Sequence, residues 1–136
     1  MSGYTIVNLN DVEDMAPKGG MPPGIQARFA RKPLELEQSG LGYYRLEPDF
    51  RLPFGHRHAE QEEVYLVVSG SARMKLDDEI VDLREWDAIR VPGSVTRGME
   101  SGPDGAVIVA FGAPNTGNKD AEMVPGFWSD GDGAEG

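Results

Sequence analysis

Apolar positions recur along this chain in short stretches of four to seven residues, each closed by turn-forming residues; no helical periodicity is sustained. The stretches predict strands over residues 4–9, 26–31, 41–47, 63–68, 72–76, 79–83, 87–91, 95–100 and 106–111. Between them stand Ser69 and Gly70, Asp77 and Asp78, Pro92 and Gly93, the run 102–105, and Pro114 with Asn115. Many short strands at close spacing predict an all-β sandwich or barrel. Residues 10–24 read as a surface loop, with an acidic patch followed by Gly19, Gly20, Pro22, Pro23 and Gly24. The sequence therefore divides into an N-terminal strand and loop (1–25), a barrel (26–112), a segment packing on the barrel or on a partner (113–128) and an acidic, glycine-rich tail (129–136) expected to be disordered. Phe127 and Trp128 are too apolar for a free tail and are expected to fold back.

Composition narrows the function. The 136 residues are one domain's worth. The 18 glycines and 10 prolines agree with many tight turns. A formal charge of −10 opposes a polyphosphate partner, so nucleic acid is not expected. No apolar run approaches the roughly 20 residues of a membrane span. The start lacks the pattern of a signal peptide and cysteine is absent, so a cytoplasmic protein without disulfides is expected.

The two histidines, His56 and His58, lie two apart, and on a strand both imidazoles project from the same face. Glu63 opens the next apolar stretch, and a short turn over 59–62 would return its carboxylate to them. Two histidines and one carboxylate form a facial ligand set that leaves coordination positions open. Two solvated histidines at a strand end would look the same, so the surrounding spacing has to decide.

That spacing resembles the cupin family. Its first motif, G-x5-H-x-H-x(3,4)-E-x6-G, is matched by His56, His58, Glu63 and Gly70, with Phe50 in place of the leading glycine. The second, G-x5-P-x-G-x2-H-x3-N, retains only Pro92: Trp86 and Ser94 stand for its glycines, Arg97 for its histidine and Ser101 for its asparagine. The resemblance implies a double-stranded β-helix, a jelly-roll barrel of two sheets. It also implies one divalent transition metal (Fe, Mn, Ni or Zn) on His56, His58 and Glu63, without the fourth ligand. Arginine stays protonated and cannot coordinate.

Three arrangements of Arg97 are open at this point. It can pair with Glu63 in a metal-free pocket, reach the mouth and hold an acidic ligand, or point outward. The mouth position is the favoured expectation. Tyr65, Trp86 and Phe54 join Arg97 as candidate ligand-binding residues, and Tyr43 or Tyr44, Met74, Met99 and Phe111 are further candidates for the cavity wall. The sequence assigns no catalytic residue. The function expected is binding of a small molecule at a metal site, with oxygenase, isomerase or decarboxylase chemistry in reach. A metal-free binding or assembly module is the alternative. An uncovered strand edge, with the apolar segments 4–9 and 127–128, predicts a homodimer.

Overall fold

The computed structural model describes residues 3–117 and 119–128. The tail predicted over 129–136 lies outside them. Eight strands form: β1 (Ile25–Phe29), β2 (Gly40–Leu46), β3 (Gly55–His58), β4 (Glu62–Leu76), β5 (Glu79–Arg84), β6 (Ala88–Val91), β7 (Arg97–Ala113) and β8 (Ala121–Val124). All pairings between them are antiparallel.

Two long strands, β4 and β7, make the fold. Each joins two stretches that the sequence pattern reads as separate strands. In β4 the buried apolar residues are Tyr65 and Val67, then Ala72 and Met74. The interval from Val67 to Ala72 is odd, which would put the two pairs on opposite faces of a regular strand. Register shifts at Val67/Ser69 and Gly70/Ala72 absorb the difference and keep both halves facing inward. Gly70 sits there at φ 76°, and a Cβ on it would stand 2.0 Å from the Gly105 carbonyl oxygen. Opposite, residues 102–105 bulge out of β7 against Ser71 alone.

Because β4 and β7 bend through both layers, one continuous eight-stranded sheet curls into the jelly-roll barrel, rather than two separate sheets. The apolar interior runs from Ala27 and Leu46 through Tyr65, Val67 and Met74 to Ile108 and Ala110.

Two other expectations change. Residues 4–9 form no strand; Tyr4 and Ile6 are exposed, and only a 3-10 turn follows at Leu9–Asp11. The loop over 10–24 is more than surface, since Val12 and Ala16 are buried and Asp14 bridges to Arg28. Strand β8 has no counterpart among the predicted strands. Among the described residues no helix is long and apolar enough to cross a membrane.

Candidate metal centre

Strand β3 carries both histidines. His56 is half-buried and His58 is buried, with ring centroids 5.1 Å apart. Glu63, at the start of β4, meets them: its Oε1 lies 3.4 Å from His56 Nε2 and 3.6 Å from His58 Nε2. The ligand atoms of the three residues all fall within 4.8 Å of one another. Donors about 2.1 Å from one ion and at right angles to each other are about 3 Å apart, so small movements would bring these onto a common metal.

The same Glu63 oxygen is a hub. Tyr65 donates its hydroxyl to it at 2.6 Å, and Arg97 donates Nη1 at 3.1 Å. Arg97 also donates Nη2 to the Pro92 carbonyl at 2.7 Å and has no solvent exposure. Burial alone would raise the Glu63 carboxyl. The neighbouring His56, His58 and Tyr65 hold it well below its ordinary 4.5. The His58 Nε2 contact, at 3.6 Å, is longer than a formed hydrogen bond. Burial pushes the Tyr65 phenol far up, and the neighbouring carboxylate adds to this, so it remains a donor.

His58 is set from behind. Its Nδ1 lies 3.1 Å from Asp120 Oδ1. Asp120 is fixed in turn by the Thr116 hydroxyl at 2.6 Å and by the backbone N–H groups of Glu60 and Gln61 at 2.8 and 2.9 Å. With Nδ1–H pointed at a carboxylate, Nε2 carries the lone pair and faces the cluster. Nε2 is buried and has no hydrogen-bond partner. Burial pulls the His58 pKa down, but Glu63 and Asp120 outweigh it and raise it above 6.5. Asp120 is held below its usual range: burial opposes this, and Thr116 with the two N–H groups prevails. Asp120 is the functional side chain that the sequence reading missed. It lies 62 positions from His58, with no spacing signal to connect them.

A cavity of about 440 Å³ opens over His56, His58 and Glu63. Phe54 lines it, as do Phe29, Tyr44, Leu52 and Met99. Tyr65 meets it only through Glu63. Two candidates need correction. Arg97 is not at the mouth: it lies fully buried behind Glu63 and does not line the cavity, because β7 pairs with β3 at His56↔Arg97 and turns the guanidinium inward. Trp86 does not line the cavity: it is 69% exposed, at φ 71° in the turn between β5 and β6. That left-handed backbone is what the motif glycine at this place would supply. Of the weaker wall candidates, Tyr43 bonds to Asn10, Met74 is core and Phe111 is exposed. A separate cavity of about 660 Å³, between the β4–β5 hairpin and residues 100–103, holds none of the three donors. Its Arg73 is paired with Asp82 and Glu100.

No family model and no curated protein matches the sequence. Solved structures do match the fold. A cupin protein from Bacteroides fragilis superposes with a TM-score of 0.69 at 18% identity, over 85% of this chain and 88% of that one. The chain has the cupin fold. Oxalate decarboxylase from Bacillus subtilis gives 0.72 at 18% identity over 92% of this chain, which spans about a third (33%) of that cupin-fold enzyme. A variant of Streptomyces PAC13 with uridine gives 0.69 at 17% identity, over 91% of each chain. At these identities the shared cupin fold is the finding, and the site has to be argued from its own residues.

Proposed function

We propose that this is a small-molecule-binding cupin in which His56, His58 and Glu63 hold one divalent transition metal (Fe, Mn, Ni or Zn) through three protein ligands. The observation that carries this reading is Nε2 of His58: a buried nitrogen without a partner, turned by Asp120 toward Glu63 and His56. A buried, unpartnered polar atom costs free energy unless something binds it, and a metal would. When bound, the ion would act as a Lewis acid with open positions for a substrate oxygen. Oxygenation, isomerisation and decarboxylation of a small oxygen-rich compound are the reaction classes within reach. The cavity's volume suits a small molecule.

A second reading rests on Arg97. Its guanidinium touches the oxygen that a metal would use, and can replace the metal as the charge that holds Glu63 ionised. The pocket would then bind its ligand without metal.

Metal analysis separates the two. Chelator-stripped protein is titrated with Mn(II), Fe(II), Ni(II) and Zn(II), and His58→Ala is titrated beside it. One ion per chain, lost in the variant, is the expected result. No saturable binding, or binding that His58→Ala leaves intact, would reject the metal reading.

A further inference from the structure

The arginines of the described chain divide sharply. Arg28, Arg45, Arg51, Arg57, Arg73, Arg90 and Arg97 each donate to a side chain or backbone oxygen. The guanidinium of Arg31 makes no hydrogen bond or ion pair among the described residues, yet the residue is half-buried and lines the cavity over the metal centre. Arg84 is also unpaired, but it is exposed and belongs to the other cavity.

The position of Arg31 is built. It follows β1 and enters a tight turn in which Leu34 N–H donates to the Ala30 carbonyl at 2.9 Å and Leu36 N–H to the Arg31 carbonyl at 2.9 Å. Its Nη2 would stand 3.9 Å from a methyl group placed on Gly117, so the head lies against the loop before β8. A second unused polar group lines the same space. Among the described residues the Tyr44 hydroxyl makes no hydrogen bond, and its phenolic O–H can donate. Between these polar groups stand Phe29, Leu52, Phe54 and Met99. In a chain of charge −10 an unpaired guanidinium in a cavity wall is a local reversal of field. Its planar fork suits a carboxylate or a phosphate.

We propose that the cavity takes a small amphipathic molecule carrying an oxyanion, and that Arg31 is the residue that holds that anion. The apolar wall covers the body of the molecule, and Tyr44 donates to an oxygen at its inner end. The role expected of Arg97 at the mouth thus passes to Arg31. The proposal deepens the small-molecule reading of the cavity and stands with or without the metal.

The test uses the full chain labelled at its methionine methyls, because Met21, Met99 and Met123 line the cavity. Phenylacetate, phenyl phosphate and the neutral phenylethanol are titrated by methyl NMR, with metal content measured on the same samples. At least one of the two anions should shift the Met99 and Met21 signals and bind at least ten-fold more tightly than the alcohol. The preferred anion tells carboxylate from phosphate. Arg31→Gln should weaken anion binding ten- to hundred-fold. It should leave the alcohol and the metal content unchanged, and Arg84→Gln should change nothing. Equal anion binding by Arg31→Gln and the native chain overturns the proposal. So does the failure of both anions to bind at millimolar concentration. Loss of the metal reading alone would show in metal content, with the Arg31 effect intact.

Discussion

Arg97→His replaces the buried cation beside Glu63 with the donor that the second cupin motif has at that place. A guanidinium and a divalent ion about 4 Å apart repel by roughly 8 kcal/mol at an effective dielectric of 20. If Glu63 and water screen three quarters of this, about 2 kcal/mol remains, roughly thirty-fold in affinity. The new imidazole adds a fourth ligand on top. Arg97→Gln relieves the repulsion without adding a donor and isolates the first contribution. Both variants leave Glu63 with Tyr65 and His56 but without its cation, so the metal-free protein should lose about 2–4 kcal/mol. The assay is competition with a fluorescent chelator, paired with thermal unfolding at saturating and zero metal. Affinity should rise in the order native, Gln, His, and the metal-induced rise in Tm should follow the same order. If Arg97→His bound metal no more tightly than the native chain, the electrostatic argument would be wrong.

Asp120→Asn should lower metal affinity ten- to hundred-fold, because the carboxylate that aims His58 Nε2 is gone; unchanged affinity in a metal titration would remove Asp120 from the site. Both Asp120 and Asp14 have depressed pKa values, so their stabilisation is present above about pH 4 and fades as pH falls. Denaturant midpoints measured from pH 5 to pH 3 should therefore drop less steeply in Asp14→Asn, which weakens the acceptor for the Ala16 and Ala27 N–H groups. His58 has the opposite sign: its raised pKa stabilises the metal-free fold fully below 6.5, and the contribution is lost as pH rises through the raised value. Trp86→Gly should leave stability within about 1 kcal/mol of native or raise it, since relief of a left-handed tryptophan offsets the added chain entropy; a large fall in Tm would show that the indole packs on something.

Strand rhythm and the first motif made the barrel and the trio His56, His58 and Glu63 legible, because alternation and a short turn are local facts. What failed was non-local. Ser69–Gly70 and residues 102–105 carry turn composition, yet in the fold Ser69 and Gly70 pair with Val107 and Ala106 between two register shifts, and residues 102–105 bulge within β7. The apolar residues at 4–9 have the pattern of a strand but pair into none of the sheet's strands among the described residues. The direction of Arg97 depends on its pairing with β3, and a one-residue error in register would have reversed it. Asp120 and Arg31 gave no signal at all. Each matters through what lies near it in space, and composition does not report that.

The weak link in the site is β3 itself. It pairs with β7 at one position only, His56↔Arg97, and with β8 at four, from Gly55↔Val124 to His58↔Ala121. The strand holding both imidazoles is therefore held mainly by the C-terminal segment. That segment is anchored by Phe127, whose ring fills the space over Gly55 and Gly98; a Cβ on either would stand 2.6 or 2.9 Å from it. Lys75 Nζ donates to the Phe127 carbonyl at 2.7 Å and lies 4.5 Å from the ring centroid. Phe127→Ala removes a large part-buried ring and opens that space. The cost should be about 2–3 kcal/mol, below the 3–5 typical of a fully buried phenylalanine. The loss should be local before it is global. Amide exchange should accelerate in β3 and β8 well ahead of β4 and β7, and metal affinity should fall although no ligand has changed. Uniform acceleration across all eight strands would mean that Phe127 supports the barrel as a whole and not the histidine strand.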